Sequence, residues 1–324
     1  AKIISVKKEK KFTAPPKLYD LTTLQRESNK HFGFTAQQTL DVVQKLYEAK
    51  LVTYPRTDSR YLTEDMEGTA LDVILNIKDT FDFETVERPD IKPVMNNKYV
   101  TDHHAIIPTE NLNKTALLGL KENDKKVLTL ISLRLLTATA PKEEYELTKI
   151  VAECENNKFT ATNKKIINHG FKAVEKQYLS SEEKDNAEFG NISENSDYEV
   201  TSKVTEHETQ PPKAYTEDTL LSAMEKAGKK DFSEDAERVG LGTPATRAGI
   251  IETLIKRGYI ERKSKNLIPT TLGKEVVSSV PDKLKSSEMT VEWENELSHI
   301  AKGGSDSSGF MKQVEEFVRD IVKE

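Results

Sequence analysis

The chain has 324 residues, with 48 Lys and Arg against 54 Asp and Glu and a formal net charge of -6. That length excludes a small staple-dependent domain and points to two or three units with cores of their own. The mild acidity argues only slightly against a nucleic-acid partner, because phosphate binding needs no more than a local basic surface. A single cysteine, Cys154, excludes an internal disulfide framework and a Cys-x-x-Cys zinc ribbon. With no apolar run long enough to span a bilayer, a soluble cytoplasmic protein without a membrane partner is expected.

The chain opens at Ala1 on a strand-like Ile3-Ile4-Ser5-Val6 with no preceding turn, so residues upstream of it are expected. Pro15-Pro16 ends that strand, and Leu18 to Arg26 reads as a short helix. Thr35 and Gln38 have capping-box spacing ahead of Leu40, Val43, Leu46 and Tyr47, which predicts a second helix with one apolar face. Leu51 to Tyr54 reads as a short strand, Thr63 to Ile77 as a helix, and Asn123 to Thr139 as another before Pro141. From Tyr145 the pattern turns to strands: Tyr145–Glu153, Lys158–Lys164, Gly170–Lys176 and Tyr198–Thr205 are rich in Val, Ile, Thr and Phe. The acidic stretch Ser180 to Asn195 between them reads as a solvated loop. The expected organisation is a β-rich domain from residues 1–16 and 141–212, with a helical domain, 17–140, inserted into it.

Pro211-Pro212 marks the next boundary. Thr216 can cap a helix carrying Leu220, Leu221, Met224 and Ala227 that stops at Gly228. Thr243-Pro244 is a cap followed by proline at the first helical position, with Ile250, Ile251, Leu254 and Ile255 on an apolar face before Gly258. Two short strand-like pieces, Tyr259-Ile260 and Leu267-Ile268, then flank the basic turn Arg262-Lys263-Ser264-Lys265. Helix, helix and basic hairpin is the order of a winged helix, so residues 213–324 are expected to be a helical, winged-helix-like DNA-binding domain. The last helix carries Phe310, Val314, Phe317, Val318 and Ile321 at helical spacing and reads as a packing element. The polar stretch Lys229 to Glu237 reads as a mobile loop.

The sharpest chemical signal is Thr53-Tyr54-Pro55-Arg56-Thr57-Asp58-Ser59-Arg60. Pro55 holds Tyr54 in an extended conformation, and in an extended chain residues two apart face the same way, so Tyr54 and Arg56 are expected to project together. A tyrosine hydroxyl titrates near ~10 and needs help to become a nucleophile, whereas an arginine is permanently charged and grips phosphate bidentately. The pair suits attack on a phosphodiester. Taken alone, a Tyr-Pro turn with Arg56 in a surface ion pair explains the same residues.

The company of this segment decides between the two. Leu21-Thr22-Thr23-Leu24-Gln25-Arg26, the tyrosine segment, His103-His104-Ala105-Ile106-Ile107-Pro108-Thr109 and Gly240-Leu241-Gly242-Thr243-Pro244-Ala245-Thr246-Arg247 occur in one order along the chain. Together they resemble the motif series of type IA DNA topoisomerases, and the versions of the last two resemble topoisomerase III. The resemblance implies an α+β multidomain fold, a toroidal body with helical, helix-turn-helix-like (CAP-like) domains joined by a β-sheet arch.

It also implies roles. Tyr54 matches the nucleophile that forms a 5′-phosphotyrosine link to one DNA strand, so that another strand can pass before religation without ATP. Arg56 matches the arginine that positions the scissile phosphate, and His103 the histidine that assists proton transfer. Gln25, Asp58, Ser59, Arg60 and His104 fall at DNA-binding positions of the motifs, and Thr243, Thr246 and Arg247 match contacts to the DNA backbone at a helix start, where free N–H groups and the helix dipole favour phosphate. The implied partners are single-stranded DNA, a helicase and a single-strand-binding protein, with the protein a nucleoid-associated monomer.

The sequence departs from the pattern in one respect. Type IA enzymes bind Mg2+ through a TOPRIM domain with an Asp-x-Asp cluster, and no Asp-x-Asp occurs here. The resemblance therefore implies a fragment that binds single-stranded DNA and does not cleave and reseal it unaided. Two rival readings remain: a tyrosine recombinase, opposed by the early position of Tyr54 and the lack of His-x-x-Arg, and a non-catalytic DNA-binding clamp built on the winged helix.

Overall fold

In the computed structural model, the structure describes residues 1–81, 83, 89–179, 189–228 and 240–323. The elements in chain order are β1 (Lys2–Thr13), α1 (Leu21–Phe32), α2 (Ala36–Glu48), α3 (Glu67–Thr80), α4 (Lys114–Gly119), α5 (Glu122–Ala138), β2 (Glu143–Cys154), β3 (Asn157–Asn168) and α6 (Phe171–Lys176). They continue with β4 (Tyr215–Thr216), α7 (Glu217–Lys226), α8 (Pro244–Lys256), β5 (Ile260–Lys263), β6 (Asn266–Pro269), α9 (Thr271–Ser279), α10 (Asp282–Lys285), α11 (Glu288–Ala301) and α12 (Ser307–Lys323). Contacts group them into two units. The first holds residues 1–19, 46–53 and 59–212, and the second residues 20–45, 54–58 and 213–324.

The first unit combines a three-stranded antiparallel sheet, in the order β1-β2-β3, with α3 to α6. The register sets Lys7 opposite Lys149 and Thr13 opposite Glu143, and then Lys149 opposite Thr162. Helix α5 is the centre of this unit, with Val127, Leu128, Leu130, Ile131, Leu133 and Leu135 all buried. A helix apolar all round belongs inside a domain, and this one is. At one end of the sheet the buried Glu143 ties three elements together: it accepts from Thr13 Oγ1 of β1 (2.9 Å) and from Lys164 Nζ of β3 (2.8 Å), with Lys172 Nζ of α6 at 3.9 Å.

The second unit packs α7, α8 and the sheet β4-β6-β5 around Leu221, Met224, Ala248, Ile251, Leu267 and Ala36. Buried Glu217 accepts hydrogen bonds from the Ala36 N–H at the start of α2 (2.6 Å) and from Arg262 Nε (2.7 Å). Farther along the chain, the Trp293 ring of α11 meets Phe310 and Phe317 of α12 edge-on, with centroids 6.0 Å apart in both pairs.

Four expected elements differ, the first being the strand expected over Leu51–Tyr54, of which only the bridge from Val52 to Pro108 forms. The helix expected over Leu18–Arg26 starts later, because Asp20 caps it by accepting from Thr23 N–H (2.6 Å), and it runs on to Phe32, where Gly33 at φ 71° ends it. The strand expected over Gly170–Lys176 is the helix α6: Gly170 has φ 52°, which breaks an extended run, and Phe171 and Val174, three apart, are the buried pair. The strand expected over Tyr198–Thr205 does not form, and only Asp197 bridges to Lys2. Residues 180–188 of the expected acidic loop and the whole Lys229–Glu237 segment lie outside the described residues.

Candidate active site

The tyrosine segment is not a strand, and the chain bends at Pro55 and Arg56. Its one ladder rung is Val52 with Pro108, flanked by hydrogen bonds from Thr53 N–H to Ile107 O (3.0 Å) and from Thr109 N–H to Leu51 O (3.0 Å). Pro108 sits at a non-hydrogen-bonded position of this rung, where its missing N–H costs no ladder bond. Beyond Thr53 burial alternates: Pro55, Thr57 and Ser59 are buried, Tyr54 and Arg60 are half-buried, and Arg56 and Asp58 are exposed. In the second unit, Thr57 O accepts from Leu21 N–H at 3.1 Å, tying the buried side of the segment to the start of α1. Among the described residues, no carboxylate forms an ion pair with Arg56.

The ends of this segment share one anchor in the first unit. Thr53 Oγ1 donates to Ala105 O (3.0 Å), and Ala105 N–H donates to Tyr61 O (2.9 Å). Both backbone groups of one buried residue therefore hold residues 53 and 61, and the seven residues between them form a loop of fixed span. Ala105 directly follows the two histidines. His103 is exposed; His104 is half-buried, and its Nδ1 lies 2.9 Å from Ala105 O. A carbonyl can only accept, so Nδ1 carries the proton, and in the neutral ring the lone pair is on Nε2.

Two of the loop's expected DNA-facing residues separate. Ser59, 4% exposed, turns inward, with its hydroxyl donating to Tyr99 O (2.7 Å). Asp58 remains exposed.

In the second unit the glycine-rich motif enters α8 through a reciprocal cap, in which Thr243 N–H donates to Thr246 Oγ1 at 2.8 Å while Thr246 N–H donates to Thr243 O at 3.0 Å. Thr246 is exposed and Thr243 half-buried at the helix N-terminus. Gly240 has φ 89°, and a Cβ there would lie 2.4 Å from Met224 O, so the close approach of this loop to the end of α7 requires glycine.

Arg247 turns inward. Its guanidinium donates to Leu241 O (3.1 Å), Gly242 O (3.0 Å) and Thr22 Oγ1 (3.0 Å), and the residue is 3% exposed. Burial lowers its pKa from the ordinary arginine value, against the opposing pull of Glu225 and Asp20. Gln25 is likewise fully buried and donates to Ala36 O (3.1 Å).

The hairpin between β5 and β6 is less basic than its sequence. Arg262 is bound to Glu217 and Glu252, and Lys263 Nζ lies 2.7 Å from Glu261. Burial alone would lower the Arg262 pKa, but hydrogen bonds to the two glutamates raise it.

Among the described residues, no group of three or more His, Cys, Asp and Glu side chains is placed to hold a metal ion. The two histidines are adjacent without a third ligand, so the residues present do not fit Mg2+ and no step is routed through it. No described helix is long and apolar enough to cross a membrane.

A family model described as DNA topoisomerase matches residues 1–312. The chain belongs to that family. It is similar to DNA topoisomerase 3 of Bacillus licheniformis, with 41% identity over 344 aligned positions covering 100% of this chain and 47% of the relative. DNA topoisomerase 3 of Bacillus subtilis gives 40% over 345, again covering 100% and 47%. The chain thus spans about half the length of the curated relatives it matches, and within the family it is type IA and topoisomerase III-like. Among solved structures, full-length topoisomerase I from Thermotoga maritima superposes with a TM-score of 0.73 and 26% identity, over 99% of this chain and 52% of that one. The α+β fold is the one this family uses.

Sequence reading missed the anchoring pair, Thr53 and Ala105. Ala105 acts through its main chain, which leaves no residue-type signature; the available signals were the hydroxyl of Thr53 and the position of both residues inside the motifs.

Proposed function

We propose that this chain carries the strand-cleaving tyrosine of an ATP-independent type IA DNA topoisomerase that acts on single-stranded DNA. Tyr54 Oη attacks a backbone phosphorus, a Tyr–O–P bond forms, and the P–O3′ bond breaks. The phenolic proton is taken up by a neighbouring base, and the freed 3′-oxygen receives one. The 5′-phosphotyrosine link retains the energy of the phosphodiester, so after strand passage the 3′-hydroxyl attacks the same phosphorus and restores both tyrosine and DNA without ATP. Arg56 holds the phosphate oxygens in a two-point grip, and His103, followed by the anchored His104, passes the proton.

The observation that supports this reading is the loop clasped at Thr53 and Tyr61, in which Arg56 and Asp58 are exposed and Tyr54 is half-buried while Pro55, Thr57 and Ser59 are buried. Of the expected DNA-contacting residues, Arg60, His103 and His104 of the first unit and Tyr54, Arg56, Asp58, Thr243 and Thr246 of the second are exposed or half-buried and are the ones available to phosphate, whereas Gln25, Ser59 and Arg247 are buried. By sequence the work divides among a β-rich domain (1–16 and 141–212), a helical domain carrying the nucleophile (17–140) and a winged-helix-like domain (213–324). The protein acts in the cytoplasm at the nucleoid, as a monomer beside a helicase and a single-strand-binding protein. The clamp reading loses ground because two of the three cations in the expected wing are already paired.

The test joins the chain to a type IA metal-binding domain and adds a single-stranded oligonucleotide with Mg2+. A covalent adduct that survives denaturant is expected, and Tyr54→Phe should abolish it with binding unchanged within about twofold. Binding with no adduct from either protein establishes the clamp instead. The chain by itself is expected to bind the oligonucleotide without relaxing supercoiled plasmid, and relaxation by it overturns that part.

A further inference from the structure

The clasped loop ends on an aromatic pair in the first unit that the cleavage chemistry does not use. The Tyr61 and Tyr99 rings stack with centroids 5.1 Å apart and planes 21° from parallel. Lys17 Nζ sits 4.7 Å from the Tyr61 ring centroid. Tyr61 is half-buried, whereas Tyr99 is 55% exposed. Tyr99 thus keeps more than half of its surface in solvent while its ring stacks on Tyr61.

The backbone holding these rings is fixed. Ser59 Oγ lies 2.7 Å from Tyr99 O and 3.3 Å from Tyr61 O and accepts from Tyr61 N–H at 3.2 Å. Tyr61 O is also the acceptor for Ala105 N–H (2.9 Å), which places the pair one hydrogen bond from the residue after His104. Among the described residues, Lys17 is paired with no carboxylate.

A large ring presented to water on a rigid mount, with a cation beside it, is costly for a surface that only needs to be wet. It is what an unpaired base requires. Every base has a π-face to stack, and the phosphate on its sugar has a charge for an ammonium to meet. Resting on the single-stranded DNA reading above, we propose that Tyr99, backed by Tyr61 and accompanied by Lys17, is a stacking platform for one unpaired nucleobase of the bound strand. The platform reads no sequence, since stacking tolerates any base; it fixes the position of one nucleotide of the strand on the first unit.

The experiment measures binding of the 324-residue chain to a short fluorescent single-stranded oligonucleotide and to the same strand with abasic sites throughout. Tyr99→Ala is expected to weaken binding of the normal strand by about five- to 150-fold and to leave the abasic strand unaffected. Tyr99→Phe keeps the ring and should restore the wild-type value. Lys17→Gln should lower the slope of log affinity against log salt by about 0.7. Circular dichroism of each variant confirms the fold, which the exposed position of Tyr99 leaves intact. If the wild-type chain binds the strand and Tyr99→Ala binds it equally well, the platform is wrong and the DNA reading stands. If the wild type binds neither strand, both fall together.

Discussion

Two segments of this molecule each carry a threonine, a proline and an arginine within a few residues, and the structure uses them in opposite ways. In the loop from Tyr54 to Arg60 the chain bends at Pro55 and Arg56 without entering a helix, the proline is buried, and Arg56 is left in solvent. In the stretch from Gly240 to Arg247 the chain coils at Pro244, and Arg247 folds back to bind the carbonyls of the loop that precedes it. The difference follows from geometry. In the non-helical loop burial alternates from Pro55 to Ser59, which leaves Arg56 outside; the fourth residue of a helix start faces back over its own turn. An arginine near a catalytic motif is therefore not by itself a phosphate ligand. One of these is available to a ligand and the other is already spent.

Exchanging each arginine for alanine should separate the two roles. Arg247→Ala removes a buried guanidinium and leaves two carbonyls and the Thr22 hydroxyl without their donor, and a loss of about 3 kcal/mol is expected in denaturant unfolding. Arg56→Ala should change stability by less than about 0.5 kcal/mol while weakening single-strand binding at least about tenfold. Equal stability losses from both would erase the distinction.

A smaller effect tests the loop that Arg247 holds. Gly240→Ala places a methyl 2.4 Å from Met224 O at φ 89°, and about 2 kcal/mol of destabilisation is expected, read as a lowered urea midpoint. If the midpoint does not move, the close approach of the loop to α7 is not needed.

The smallest effect belongs to the sheet. Burial raises the Glu143 pKa, but hydrogen bonds from Lys164 and Thr13 and the nearby Lys172 outweigh it, so the carboxyl titrates below its ordinary value. A depressed carboxyl pKa contributes stability that is present in full above the unfolded value, about 4.3, and is lost as pH falls through the lower folded value. Melting curves between pH 7 and pH 3 should show the wild type losing more than Glu143→Gln over that acidic window. Parallel curves would show that the cluster contributes nothing.

What could be read from the sequence was what side chains encode locally. The Thr35–Gln38 box is present as written, with Thr35 N–H donating to Gln38 Oε1 (2.9 Å) and Gln38 N–H to Thr35 Oγ1 (3.0 Å). Thr216 and Thr243-Pro244 start their helices where the sequence places them. What misled was composition without context. Val200 and Val204 favour strands, yet at 54% and 90% exposure they pair with no described strand, and a strand needs a partner as well as a propensity. Phe171 and Val174 are strand-formers too, but six residues are too few to distinguish a period of two from one of three or four. At the candidate site the motif residues could be identified, but not which of them face inward. The burial of Gln25, Ser59 and Arg247 depends on partners distant in sequence, such as Tyr99 for Ser59 and Thr22 for Arg247.

The clasp at Ala105 bears on how such a loop can be edited. Because main-chain atoms make the fastening, the side chain at 105 has only to be small enough for its fully buried niche. Proline there would strip away the N–H that holds Tyr61, whereas serine would leave both ties in place. An extra residue between 53 and 61 has nowhere to go but outward, so redesign of this chain has freedom in what the loop displays and very little in how long it is.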